Sequence, residues 1–105
     1  MVRGTTPTFI LTLDDEVDLT GTNVYVTFKQ DKKDCPCGLS MTKSGDDLTV
    51  ETNVVNVYLS QEETLKFSRG KLYVQVNWTF DNGKRACSEI ALVKVDNNLL
   101  NGVLQ

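Results

Sequence analysis

Asn56-Val57-Tyr58-Leu59-Ser60-Gln61-Glu62-Glu63-Thr64-Leu65-Lys66-Phe67-Ser68-Arg69-Gly70-Lys71-Leu72-Tyr73-Val74-Gln75-Val76-Asn77-Trp78-Thr79-Phe80 holds a short strand, a capped helical turn and a long strand in unbroken succession. Val57 and Leu59 alternate with polar partners. Ser60, with Glu63 three positions on, forms a Ser-x-x-Glu capping box, which opens one or two helical turns because each side chain satisfies the other's backbone N–H. Arg69-Gly70 is expected to end that helix. From Leu72 the period returns to 2, with Leu72, Val74, Val76, Trp78 and Phe80 on one face and Tyr73, Gln75, Asn77 and Thr79 on the other. A small helix that carries the chain from one sheet to another is the plan this implies. It predicts an all-β fold, an immunoglobulin-like β-sandwich of about seven strands with one short helical crossover.

The flanking sequence supplies the other strands. Residues 8–13 alternate Phe9, Leu11 and Leu13 against Ile10 and Thr12, behind a Pro7 that suits an edge or a strand start. Asp14-Asp15-Glu16 ends that run. Residues 24–29 form the next strand, followed by a charged, cysteine-bearing loop at 30–38. Two short alternating runs, 39–43 and 48–52, flank Ser44-Gly45-Asp46-Asp47, which is expected to be a hairpin turn.

In the last hairpin the loop length decides which face each residue occupies. A two-residue Asn82-Gly83 turn would put Arg85, Cys87 and Glu89 on the face of Trp78, and burying Glu89 unpaired would cost several kcal/mol. A three-residue Asp81-Asn82-Gly83 loop, with Gly83 left-handed in a G1 bulge, instead puts Ala86, Ser88, Ile90 and Leu92 on the core face. The bulged loop is the expectation, with a second bulge or a strand end beyond Leu92.

A second segment carries a resemblance. Asp18-Leu19-Thr20-Gly21 leads into Val24, Val26 and Phe28, giving D-L-T-G-x-x-V-x-V-x-F. Together with Leu59-Ser60-Gln61-Glu62-Glu63-Thr64 and the strand entry Gly70-Lys71-Leu72-Tyr73, this resembles the N-terminal domain of phage baseplate upper proteins. It is also similar to short phage proteins that open with Arg3-Gly4-Thr5-Thr6-Pro7. The resemblance runs from Arg3 to Val95. It implies an immunoglobulin-like module that anchors receptor-binding parts at a tail tip, and it brings no catalytic residues with it.

The bulk properties agree with a binding module. At 105 residues the chain is read as one domain, 1–105, large enough to bury roughly 65% of its unfolded surface in a two-layer core. Hydrophobic residues at 40% and charged residues at 24% are ordinary globular values that give no ground for disorder. The net charge of −3, with Lys and Arg scattered singly, provides no basic stripe, so no nucleic-acid partner is expected. Neither a secretory signal nor a membrane-length apolar run is visible, which predicts a chain made in a bacterial cytoplasm, with no membrane partner.

Site chemistry is sparse. Cys35, Cys37 and Cys87 are an odd number of cysteines, and with no histidine in the chain a zinc site would lack ligands. Free thiols, no metal and no cofactor are expected. The missing histidine and the placement of carboxylates in turns and caps argue against an enzyme. Asp14, Asp15, Glu16 and Asp18 lack the calcium-loop pattern and read as a solvated turn. Asn77-Trp78-Thr79 matches a glycosylation sequon only in letters. Trp78 shares its face with Leu72, Val74 and Val76 and is expected in the core.

The function expected is therefore that of a phage structural protein, a tail or baseplate component of the virion that works through protein–protein contacts. Its partners would be other virion proteins and further copies of itself, in a homo-oligomer or multi-copy assembly. Candidate contact residues are the outer strip Tyr73, Gln75, Asn77 and Thr79, Arg3 in the N-terminal segment, and Leu99, Leu100, Val103 and Leu104 of an apolar tail. The competing expectation is a carbohydrate-binding or adhesin-like sandwich at a cell surface.

Overall fold

The computed structural model describes residues 1–30, 40–67 and 69–96. Eight strands and one short helix follow in the order β1 (Thr8–Thr12), β2 (Asn23–Lys29), β3 (Ser40–Ser44), β4 (Leu48–Glu51), β5 (Val54–Tyr58), α1 (Gln61–Leu65), β6 (Gly70–Thr79), β7 (Arg85–Cys87) and β8 (Ala91–Val95). Two antiparallel sheets result. One has the order β1-β5-β4, and the other β3-β2-β6-β7, with β8 also pairing β6. Three-stranded and five-stranded sheets face each other as an immunoglobulin-like sandwich, in which β7 and β8 are two segments of one last strand.

Period-2 alternation drives the burial. Val24, Val26 and Phe28 of β2 and Leu72, Val74, Val76 and Trp78 of β6 point inward, meeting Val55 and Val57 of β5. Phe28 stacks at a tilt against Phe9 of β1 (ring centroids 5.6 Å apart) and against Phe67 (6.3 Å). Leu19, Leu59 and Val95 complete the buried cluster.

The capping box forms as read. Ser60 Oγ accepts from the Glu63 N–H at 3.2 Å, and Glu63 Oε1 accepts from the Ser60 N–H at 3.0 Å. Glu63 also pairs with Lys43, which reaches it from the core side of β3, opposite Val26. The helix stops at Leu65, earlier than Arg69-Gly70, because the chain must turn there to drop the fully buried Phe67 into the core. Gly70, at φ 134°, opens β6 instead.

Residues 39–43 and 48–52 do not form the expected hairpin. β3 pairs with β2 and β4 with β5, in different sheets, and a 3₁₀ turn at Gly45–Asp47 crosses between them. The same turn chemistry serves a crossing as well as a hairpin. The true hairpin joins β4 to β5, with Glu51 opposite Val54 and Thr52 at φ 42°. It lacks the Asn-Gly or Asp-Gly pair that announces such loops. Thr52 and Asn53 are held from outside instead: Leu13 and Leu19 donate their N–H groups to the Asn53 and Thr52 carbonyls, and Asn53 Nδ2 donates to the Leu13 carbonyl at 2.9 Å.

The bulged loop after β6 is present. Phe80 N–H donates to the Lys84 carbonyl, Gly83 N–H donates to the Phe80 carbonyl, and Gly83 has φ 82°. Ala86 lies opposite Trp78, and Ser88 follows on the inner side, its Oγ accepting from the Val76 N–H at 3.0 Å. Phe80, expected on the core face, lies past the strand end and is exposed.

Ile90 and Leu92 depart from expectation: they are 62% and 59% exposed. Three residues separate Cys87 from Ala91, whereas two separate their partners Asn77 and Val74 on β6. This second bulge precedes β8 rather than following Leu92, and it inverts the faces of β8. Val93 and Val95 turn inward opposite Leu72 and Gly70, and Leu92 turns outward beside Tyr73. Ser88 makes the bulge self-sufficient. Its N–H donates to the Val76 carbonyl, its hydroxyl donates to the Glu89 carbonyl, and its own carbonyl accepts from Gln75 Nε2. Glu89 stays exposed, so the charge that motivated the register is never buried.

The N-terminal residues are strapped to the domain. The Met1 amino group donates to the Lys94 carbonyl, Asp96 N–H to the Met1 carbonyl and Arg3 N–H to the Asp96 carbonyl, making a parallel bridge of Val2 with Asp96. The fully buried Thr64 of α1 holds the strap's next turn. Its hydroxyl accepts from the Gly4 N–H at 3.0 Å and donates to the Thr5 carbonyl at 2.9 Å.

Candidate interaction faces

A β-strand sends alternate side chains to opposite faces, so each sheet of the sandwich keeps an outer face for other molecules. On the five-stranded sheet the pairing register brings that face together strand by strand. Tyr25 stands between Ser44 and Asn77, Thr27 between Thr42 and Gln75, and Lys29 between Ser40 and Tyr73, which in turn lies beside Leu92. Thr79 is flanked by Asn23 and Arg85, and Lys71 by Lys94. The hydroxyls of Thr27 and Thr42 lie 3.2 Å apart as a cross-strand pair.

The centre of this face is aromatic and polar, with an aliphatic edge. Tyr25 and Tyr73 are each 37% exposed on adjacent strands, and Leu92 stands out beyond Tyr73. Tyrosine offers a large, stiff contact area with a polar tip, the chemistry enriched at protein interfaces. Arg85 lies across the far end, its Nε and Nη2 both donating to Asn77 Oδ1 at 3.2 and 3.0 Å. Every charged residue that the register places on this face is basic: Lys29, Lys71, Lys94 and Arg85. Lys94 has one anionic neighbour, Asp96, 3.6 Å away at the strand end.

The opposite face, on the three-stranded sheet, carries one charged side chain, Glu51. Its outward residues are Thr8, Ile10 and Thr12 of β1, Val54, Asn56 and Tyr58 of β5, and Thr49 and Glu51 of β4. None of these strands contains Lys or Arg. Ile10 is 68% and Tyr58 54% exposed. Asp46 and Asp47 precede β4, and Asp14, Asp15, Glu16 and Asp18 follow β1. Asp18 Oδ1 accepts from the Thr20 N–H at 3.0 Å, and hydrogen bonding to Thr20 holds its carboxyl below the ordinary aspartate value.

Of the contact residues read from sequence, Tyr73, Gln75, Asn77 and Thr79 share one face, with Gln75, Asn77 and Thr79 half-buried among their neighbours. Arg3 is elsewhere: its Nη2 donates to the Leu65 carbonyl at 2.9 Å at the end of α1, and its Nε is buried without a partner. It serves its own domain's strap. Leu99, Leu100, Val103 and Leu104 lie outside the described residues, as do Cys35 and Cys37. Cys87 is an exposed free thiol. Sequence reading missed Tyr25, Thr27, Leu92 and the basic residues as parts of the same face. The alternation of β2 marks Tyr25 and Thr27 as outward, but nothing local announces that β2 pairs with β6.

Two open clefts lie beside these faces among the described residues. One of about 550 Å³ lies at the β2, β3 and β4 ends over Leu19, Val24 and Leu48. Another of about 530 Å³ opens between β1 and the last strand over Leu11, Val76 and Trp78. Trp78 is buried at the floor of the latter, on the core face, and offers no flat platform outside it. Among the described residues no group of three or more His, Cys, Asp or Glu is placed to hold a metal ion, and no helix is long and apolar enough to cross a membrane. Comparison of the chain with protein-family models and with curated proteins found no match.

Proposed function

We propose that the protein is a structural component of a phage virion, of its tail or baseplate, and that it acts as a protein–protein assembly module. The observation that carries this reading is the outer face of the five-stranded sheet, where Tyr25, Tyr73 and Leu92 stand exposed around a Thr27–Thr42 pair on rigid strands. Such a face suits another folded surface better than it suits a small substrate, since it is open and its side chains carry no acid–base pair. The resemblance to baseplate upper protein N-terminal domains supplies the biological setting. The carbohydrate-binding reading gains less: the indole it would use is in the core, and the two outward tyrosines stand four residues apart along their paired strands, about 13 Å and too far to clasp one sugar ring.

The test is to purify particles by density gradient from cells that carry the gene and to probe them with an antibody against this chain. Detection in intact particles, resistant to a salt wash, is the expected result. A chain found only in the soluble lysate while complete particles form without it overturns the proposal.

A further inference from the structure

We propose that the groove between β1 and the last strand is a site of strand addition, where an extended segment of another polypeptide pairs its main chain with the free edge of β1. The segment that fits is apolar at alternate positions and basic at its ends. This contact goes beyond the assembly reading above, uses a different side of the domain and does not depend on that reading.

Among the described residues β1 pairs on one side only, with β5, at the end of its sheet. The Leu59 N–H donates to the Pro7 carbonyl and the Leu13 N–H to the Asn53 carbonyl. Bonded pairs alternate along an antiparallel ladder, so Phe9 and Leu11 also aim their main-chain groups at β5, and Thr8, Ile10 and Thr12 aim theirs away from it. Such a row of unpaired N–H and C=O groups is a template for a further strand, and proteins ordinarily blunt it with charge, proline or a bulge. The other edge strands are blunted in this way: Lys43 is in β3, Glu51 in β4, and Arg85 and Lys94 in the bulged last strand. β1 has none of these devices, since Thr8 to Thr12 are uncharged and their register with β5 is unbroken.

The space beside that edge is a missing strand position. The larger sheet has β3, β2, β6 and the last strand side by side, and the smaller has only β4, β5 and β1. The cleft of about 530 Å³ lies where the next strand would be, with residues 10–14 as one bank, residues 87–89 as the other and Val76 and Trp78 beneath. Its β1 bank is about 13 Å long at strand rise. Half-buried Leu11, Leu13 and Val17 leave apolar surface there for alternate side chains of a guest strand, while its main chain supplies the affinity. The charged residues of the lining are Asp14 and Glu89, exposed on opposite banks, and neither is in an ion pair among the described residues. The bases of the bounding strand do not offset them. Arg85 lies on the outer face against Asn77, and Lys94 on that face beside Lys71. The Met1 amino group donates to the Lys94 carbonyl, further along β8 than the groove reaches. Basic ends on the guest answer the two acids. A folded second copy offering its own β1 would drive its larger sheet into the bank at Cys87 and Glu89, so the occupant is a single extended segment.

Amide NMR of the isotope-labelled full chain, titrated with the end-capped peptide Lys-Val-Thr-Val-Thr-Val-Lys, tests this. Saturable shifts are expected at Ile10, Thr12 and residues 87–91, with a Kd of about 0.1–1 mM, and none at Tyr25 or Thr27 on the outer face. Only alternate residues of an added strand bond to β1. One peptide N-methylated at both threonines and another at the first two valines should therefore differ: one loses about tenfold in affinity and the other binds as the parent does. Ile10→Pro removes an N–H that faces away from β5 and should weaken binding of the parent peptide. Glu89→Lys, at an exposed position, should keep the melting transition and shift preference by about threefold toward a peptide ending in glutamate. No saturation at millimolar peptide, shifts confined to the outer face, equal binding of the two methylated peptides, or an unchanged preference in Glu89→Lys each overturns strand addition. If the peptide does not bind and the protein is found in particles, strand addition fails and the assembly reading stands. If the peptide binds and the protein is absent from particles, the assembly reading fails and strand addition stands.

Discussion

Thr64→Val should weaken the fold through one hydroxyl. Thr64 is fully buried, accepts from the Gly4 N–H and donates to the Thr5 carbonyl, with a second, shared contact to the Gln61 carbonyl at 3.1 Å. Valine keeps the shape and leaves the Gly4 N–H and the Thr5 carbonyl without their partner. A buried polar group stripped of its partner costs about 1–3 kcal/mol, and here the strap can peel partly into water to recover some of that. The expected loss is therefore about 2 kcal/mol, a large share of the 5–15 kcal/mol that holds a typical domain together. With a urea slope of about 1–3 kcal/mol/M, the midpoint should fall by about 1 M. Thr64→Ser keeps the hydroxyl and loses one methyl group, worth about 0.8 kcal/mol before any cavity cost. The assay is equilibrium urea denaturation of the three proteins, with amide exchange at Gly4 as a local readout. Valine as stable as wild type, or serine worse than valine, would refute the view that the hydroxyl holds the strap.

Other positions test other links. Phe67→Ala empties the site between α1 and Phe28 and should cost about 3–5 kcal/mol by denaturation. Gly83→Ala meets no atom within 4 Å, so only the φ of 82° opposes it; a loss of about 1–2 kcal/mol in the same assay is expected. Leu92→Asp should change stability by no more than about 0.5 kcal/mol whereas Val95→Asp should unfold the domain, since the bulge turns the first outward and the second inward. Burial tends to raise the Glu63 carboxyl, but Lys43 and Ser60 outweigh it and hold the group below its ordinary value of 4.5. Because the folded value is the lower one, the stabilisation is complete above about pH 4.5 and fades as pH falls through the folded value. Lys43→Met should therefore lower the neutral plateau of a stability-versus-pH curve and flatten its acid limb, leaving stability below the folded Glu63 value the less affected part.

What could be read from the sequence was what depends on neighbours a few residues apart. The Ser60–Glu63 box, the inward set of Leu72, Val74, Val76 and Trp78, and the three-residue loop at Gly83 all follow from local periodicity and local hydrogen bonding. What escaped depends on distant partners. The bulge at residues 88–90 exists because Ser88 can satisfy itself against Val76 and Gln75, twelve to thirteen positions away, and because Val93 and Val95 gain burial by it. Neither cause shows in the alternation of residues 86–95. The turn at Gly45–Asp47 is locally the same whether it closes a hairpin or crosses between sheets. The candidate face was half visible for the same reason: Tyr73, Gln75, Asn77 and Thr79 lie on one strand and could be grouped, whereas Tyr25, Thr27 and Leu92 join them only through strand pairing.

Photo-crosslinking from within the particle tests most directly whether the outer face of the five-stranded sheet is a contact surface. Tyr73 would be replaced by p-benzoylphenylalanine in cells producing phage, with Glu16 in the exposed turn after β1 replaced in a parallel culture, and the purified particles irradiated. The account predicts an efficient crosslink from position 73 to a virion protein, whether a second copy or another component. Incorporation into particles with no crosslink from position 73 would contradict it.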